Sequence, residues 1–281
     1  MNNLTNYHSH TSFCDGKAPM EAFIAEAVRQ GFTSYGGSPL APLPFRTRWT
    51  IDDREQTGLY LQEFARLKRL YGDRIELYVG LEIDYMDEDQ QPANDYFQSL
   101  PLDYRIGSVH LLHSTQGEIV DIDTRPEVFR EHVRLHLGGD LKRVVLAYFD
   151  KLMRMIGRGG FDFIGHADKI SYNVSCCEPD ILGQQWYKDK ISEYFTFIAE
   201  KGAMIEVNTK TLHRNGFLYP NKEHFGLIRT LGIPVVVNSD AHLPELINSG
   251  RPEALRLLKA SGIGAVWQLE RGVWTEVPIG E

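Results

Sequence analysis

Seven short apolar runs, each followed by a loop and then by a stretch of helical periodicity, leave this chain few folds to choose from. The runs are Leu4–His10, Phe32–Ser38, Ile75–Tyr85, Tyr104–His110, Phe161–His166, Ala203–Asn208 and Val235–Ser239. After the first, Met20, Phe23, Ile24, Ala27 and Val28 recur at helical spacing, with Pro19 ahead of the first turn and Gly31 after the last. Further helices are expected over about Glu55–Tyr71, Pro126–Arg158, Gln185–Lys201, Lys222–Leu231 and Arg251–Ser261, and Gly264–Pro278 reads as a terminal hairpin around Arg271-Gly272. Strands that alternate with helices pair in parallel through crossovers. No linker, repeat or composition break separates the units. The expectation is a single α/β domain over residues 1–281, folded as one closed or nearly closed barrel.

The ends of these runs carry the chemistry. His8 and His10 are two residues apart on one strand, so both imidazoles face the same side. In the third run Val79, Leu81 and Ile83 share one face, which would pack on outer helices. Glu82 then points to the mouth or lumen, where a carboxylate needs a partner. His110 and His166 end the fourth and fifth runs, and Asp240 and His242 follow the seventh. Parallel barrels of this kind work at the C-terminal ends of their strands. Imidazole and carboxylate ligands suit Zn²⁺, Mn²⁺ and Fe²⁺. One His-x-His pair, or one strand-end histidine, is ordinarily structural. Ligand-type residues at five strand ends at once predict a multinuclear metal site. The other histidines, His113, His132, His136 and His224, are expected to be surface or packing residues. The loop Pro39–Pro44 and the basic-aromatic Phe45–Trp49 after it are longer than a connector needs, which hints at function.

Charge and cysteine usage narrow the partners. Thirty basic residues against 38 acidic ones give a net charge of −8, which argues against a nucleic-acid polymer or an anionic membrane as the partner. Three cysteines, Cys14, Cys176 and Cys177, offer neither a disulfide framework nor a Cys-x-x-Cys zinc ribbon. No apolar leader and no run of about 18 apolar residues is present, so a cytoplasmic protein is expected.

His8-Ser9-His10, Asp15-Gly16, the Glu82 strand, Gly107-Ser108-Val109-His110, Ile164-Gly165-His166-Ala167-Asp168, Glu206-Val207-Asn208-Thr209 and Asn238-Ser239-Asp240-Ala241-His242 form a series. It resembles the motifs of the PHP (polymerase and histidinol phosphatase) family, from about residue 5 to 260. Length and spacing most resemble its stand-alone histidinol-phosphate phosphatases. The resemblance implies a distorted seven-stranded (β/α) TIM-like barrel with two or three divalent ions (Zn, Mn or Fe). It implies that His8, His10, Glu82 and Asp240 hold one ion, that Glu82 bridges to a second held by His110 and His166, and that Asp15 and His242 belong to a third. Leu40 stands where the family places another histidine, and leucine cannot ligate a metal.

The implied activity is phosphomonoester hydrolysis, with L-histidinol phosphate as the first candidate substrate in histidine biosynthesis. Hydroxide formed from water on the metal ions would attack phosphorus in line. Asp240 is the first candidate to protonate the leaving group, with Glu82 bridging the ions and His213 as the alternative donor. Lys17, Lys169, His213 and Arg214 lie on rim loops and are the candidates to bind the small phosphorylated substrate. Two other readings stay open: a related phosphoesterase acting on nucleotides or another small phosphate ester, and a barrel with an impaired third site that serves a binding role.

Overall fold

The computed structural model describes residues 3–280. Its strands β1 (Thr5–Asn6), β2 (Ser34–Gly37), β3 (Glu76–Asp84), β4 (Tyr104–Ser108), β5 (Phe163–Ile164), β6 (Met204–Asn208) and β7 (Val235–Asn238) form one sheet in chain order. Every neighbouring pair is parallel. A parallel bridge between Ser9 and Ala241 brings the last strand back to the first. There His10 N donates to Ala241 O (2.8 Å) and Ala241 N donates to His8 O (3.3 Å). The result is a seven-stranded, nearly closed barrel with helices outside, as expected from the alternation.

The two-residue period of the strands divides the protein into an outer and an inner layer. Leu77, Leu81 and Ile83 face outward onto Phe23, Ile24 and Phe64 of the first helices. On the other side Ile164, Ile205, Val207 and Val237 pack on Tyr148, Phe149, Tyr194 and Ile228. The alternate positions Tyr78, Tyr104, Ile106, Phe163, Met204 and Val236 point inward with Tyr7 and fill the lower barrel. The terminal hairpin, Ala265–Glu270 with Val273–Pro278, caps this plug. Trp274 meets Tyr7 and Phe163 edge-on at 5.3 and 5.8 Å, and Leu269 N donates to Tyr7 Oη (2.8 Å). The lower barrel is therefore closed and apolar, and the polar inward residues are left to the upper end.

Two glycines make that upper end possible. A Cβ on Gly165 would lie 2.6 Å from Ser108 Oγ and 2.9 Å from Ile106, so any side chain there would displace the residues under Glu82. A Cβ on Gly16 would lie 2.1 Å from His10 O, so the loop carrying Asp15 can fold tightly over the first strand end only with glycine.

Three stretches differ from the sequence reading. Leu111–His113 and Ile119–Asp121 form a small antiparallel hairpin within a segment expected to be loop. Ile170–Cys177 is helical, although Cys176, Cys177 and Pro179 read as loop. Its Ile170 and Val174 are buried one turn apart, and Asn173 Nδ2 donates to Ile122 O (3.1 Å) and Thr124 O (3.0 Å). The long helical stretch is two helices, Pro126–Leu135 and Leu141–Arg158. Gly138 and Gly139 between them take φ of 81° and 74°, which breaks the helix. Among the described residues no helix is long and apolar enough to cross a membrane.

Candidate metal centre

Above the apolar plug the barrel turns polar at the strand ends. His8, Glu82, Ser108, Glu206 and Asn238 are all buried to within 1% exposure. Glu82 lies at the centre. Its Oε2 is 3.1 Å from His8 Nε2 and 3.4 Å from His10 Nε2, while its Oε1 is 2.8 Å from His166 Nε2 and 3.5 Å from His110 Nε2. Asp240 Oδ1 completes the first group at 3.2 Å from His10 Nε2 and 3.9 Å from His8 Nε2. In the second group His110 Nε2 and His166 Nε2 face each other at 3.1 Å. A third cluster lies at the rim, where His242 Nε2 is 3.1 Å from Asp15 Oδ2 and the His10 and His242 rings stack at 4.3 Å.

The tautomers are fixed from behind. An ionised carboxylate only accepts, so His8 Nδ1 donates to Glu206 Oε1 (2.7 Å) and His110 Nδ1 donates to Asp84 (3.0 Å). Each imidazole then presents its other nitrogen as a lone pair toward Glu82. Lone pairs and a carboxylate repel one another unless a cation lies between them. A cation with ligands about 2.1 Å away at tetrahedral angles spaces those ligands about 3.4 Å apart. The separations of 3.1–3.9 Å in the first group match that spacing. The donor set fits divalent cations in chemistry and in distance.

The protonation pattern agrees. Burial disfavours a charged His8, yet Glu206, Glu82 and Asp240 outweigh it and raise its pKa to about 10. Burial likewise opposes a charged His110, but Asp84 and Glu82 raise it to about 9. Burial alone would raise the carboxyl of Glu82, but His8 and His110 hold it well below the usual carboxylate range. Asp240 is held low in the same way, against burial, by Lys210 and His8. Without a metal ion, protons supply the positive charge that this cluster demands.

The backbone is also shaped for this centre. His166 and Asp240 adopt φ of 30° and 49°, a left-handed conformation that costs energy for residues with a side chain. His166 is held there by its own N–H, which donates to Glu206 Oε2 (2.8 Å). Glu206 therefore fixes His8 and His166 together.

All eight of the expected ligands, His8, His10, Asp15, Glu82, His110, His166, Asp240 and His242, fall into groups of donor atoms close enough to share an ion. The rim residues divide. Lys169 is buried and pairs with Asp123 at 3.2 Å, and Asp123 lines the cleft. Lys17 is exposed, although its backbone N–H donates to His242 O (2.9 Å). His213 and Arg214 are exposed on the short helix Leu212–Asn215, outside the lining of the cleft. The cleft itself, about 160 Å³, is lined also by Leu40, Trp49, Asp121 and Lys210.

Asp84 and Glu206 were given no role from the sequence, and Lys210 was passed over in favour of its neighbours. Asp84 carried a readable signal: it stands two residues after Glu82 on the same strand face, the spacing that marked His8 and His10. Replacing Asp84 by asparagine should leave the fold intact and weaken metal affinity by about 10- to 100-fold, because the second-layer carboxylate orients and enriches His110. Metal titration of folded Asp84→Asn protein checks this, and unchanged affinity would refute the role.

Comparison with known proteins finds relatives along most of the chain. A probable histidinol-phosphatase of Schizosaccharomyces pombe is 26% identical over 281 residues, covering 94% of this chain and 89% of that protein. The histidinol-phosphatase of Bacillus subtilis is 25% identical over 251 residues, covering 84% and 92%. The crystal structure of histidinol phosphate phosphatase from Lactococcus lactis, complexed with zinc, L-histidinol and phosphate, superimposes with a TM-score of 0.73 at 16% identity, covering 97% of this chain and 99% of that one. The PHP domain profile matches residues 6–210, a span that begins in the first strand and runs to Lys210 in the loop after β6. This chain belongs to the PHP domain family.

Proposed function

We propose that the chain is a metal-dependent phosphomonoesterase that hydrolyses L-histidinol phosphate to L-histidinol and phosphate. The observation that carries this reading is the double use of Glu82, whose two oxygens face two separate groups of imidazoles. The relatives named histidinol-phosphatase, which align over most of both chains, support the choice of substrate.

His8, His10, Glu82 and Asp240 would hold one divalent cation, and Glu82, His110 and His166 a second; Asp15 and His242 are the residues available to a third. Divalent cations so held make water acidic and neutralise charge on phosphoryl oxygens. The chain's own residues orient and balance that chemistry. Glu206 and Asp84 keep His8 and His110 turned with Nε2 inward. Asp240, held ionised at rest, carries no proton to give, so as the donor it would first have to take one from the attacking water and then pass it to the leaving oxygen. Of the rim cations, Lys169 is the one we retain as a substrate contact, because its partner Asp123 lines the cleft. Lys17, His213 and Arg214 would need their loops to close inward, and so would His213 as a proton donor. The free cysteines support a reducing, cytoplasmic setting. The small cleft favours a small ester over a nucleic-acid polymer, and the hairpin-capped barrel supports a single domain over residues 1–281.

The test is phosphate release by metal-replete protein from L-histidinol phosphate, beside nucleotides and other phosphomonoesters. The expected result is a preference for L-histidinol phosphate that chelation abolishes. Turnover of nucleotides only, or of nothing in the panel with metal bound, would refute the substrate.

A further inference from the structure

Among the cations near the cleft, Lys210 is the one aimed at the metal-ligand atoms themselves. Its Nζ donates to Asp240 Oδ1 (3.2 Å) and lies 3.4 Å from His242 Nε2. We infer that the Lys210 ammonium is a built-in cation for the corner formed by Asp15, Asp240 and His242, where it takes the place of a third metal ion and holds a phosphoryl oxygen of the substrate. This rests on the metal-dependent phosphatase reading above.

The donor groups around Glu82 sort into two kinds. Among the described residues Glu82–His110–His166 has no lysine or arginine against its ligand atoms, whereas His10–Asp240–His242 has Lys210 against two of its three, Asp240 being shared with the His8–His10 ion. The ammonium lies between Asp240 Oδ1 and His242 Nε2, the space that a third divalent ion on those two atoms would need. The chain therefore supplies the cation of this corner itself. Leu40, beside Glu82 through a parallel bridge and lining the same cleft, offers methyl groups and no ligand atom that would shift the balance toward a metal.

Lys210 is also placed on purpose-built backbone. Its N–H donates to Asn208 Oδ1 (3.0 Å), and Asn208 Nδ2 donates to Asp240 Oδ2 (3.2 Å), so one asparagine positions both members of the ion pair. The ammonium has three donors. One goes to Asp240, and the side chain remains one-third exposed toward the cleft, which leaves a donor for a phosphoryl oxygen. A lysine suits that task as a compact point charge.

The experiment counts tightly bound metal per chain and titrates the metal-replete protein with inorganic phosphate, for the wild type, Lys210→Arg and Lys210→Met. The expected result is two ions in all three proteins, phosphate affinity retained by Lys210→Arg, and a loss of about tenfold in Lys210→Met, the size of one charge-assisted hydrogen bond. A merely structural lysine would not give the rescue by arginine with a constant ion count. Three tightly bound ions in the wild type would overturn the inference, as would a change in Lys210→Met below about twofold, too small for such a bond. Neither readout uses an organic substrate, so a wrong choice of substrate does not disturb them. Absence of any bound ion would overturn the metal-centre reading itself.

Discussion

Glu82→Gln protein is expected to fold, to lose at least one of its bound divalent ions and to turn over substrate on the order of 10³-fold more slowly, the equivalent of several kcal/mol of metal-supplied stabilisation. The reasoning is local. Glutamine has the shape of glutamate but carries no charge, and it offers one oxygen where glutamate offers two. Whichever way the amide turns, an NH₂ group faces either the His8–His10 pair or the His110–His166 pair. A cation cannot lie against that NH₂ group. The Ser108 hydroxyl, which donates to Glu82 Oε1 (2.7 Å), can still bond the amide oxygen, so the side chain keeps an anchor. Metal analysis of the purified variant together with steady-state phosphate release reads both effects. A Glu82→Gln protein with the wild-type ion count and full activity would remove the bridging role from this residue.

Removing the metal from the intact protein should give the second large effect, and its sign follows from the histidines. In the metal-free folded protein His8 and His110 have pKa values near 10 and 9, above the ordinary histidine value of about 6.5 that they recover on unfolding. A pKa raised in the folded state means that the native protein binds more protons between these values. The corresponding stability is fully present below about pH 6.5 and is lost as pH rises through 9 to 10. Metal-free protein should therefore show a falling Tm from neutral to alkaline pH. Metal ions need the lone pairs that those protons occupy, so binding near pH 7.5 should release about two protons per chain and tighten as pH rises. The Tm gain on adding metal should be larger at alkaline than at neutral pH. Thermal scans across pH and calorimetry in buffers of different ionisation enthalpy measure these quantities. A Tm of the metal-free protein that rises toward alkaline pH, or a binding heat indifferent to buffer, would contradict the protonated-cluster account.

The first layer of the site was legible because it depends on local geometry. His8 and His10 lie two residues apart, and Glu82 stands opposite in phase to Leu81 and Ile83, so period two alone says which side each faces. The parallel alternation then brings every strand's C-terminal end to one rim, which is why His110, His166, Asp240 and His242 could be grouped from the sequence. The departures lay in connecting segments. Ile170–Cys177 becomes a helix partly because Asn173 ties it to the segment after the hairpin, at Ile122 and Thr124, a contact about 50 positions away that no local preference encodes.

The rim lysines show the same limit. Lys210, His213 and Arg214 lie within five positions of one another, and the sequence reading takes His213 and Arg214, not Lys210, as phosphate contacts. The fold turns Lys210 into the cleft through Asn208 and leaves the other two on an exposed turn. What the sequence by itself determined was the barrel, through strand and helix periods, and the identity of the inward donor atoms at its rim. What only the tertiary structure decided was their pairing: Glu206 behind His8 and His166, Asp84 behind His110, and Lys210 over Asp240 and His242. The physical reason is that a period is a property of a few consecutive residues, whereas the Glu206 and Lys210 contacts join strands and loops tens to hundreds of residues apart. Even Asp84 meets its partner only because β3 and β4 pair in one register.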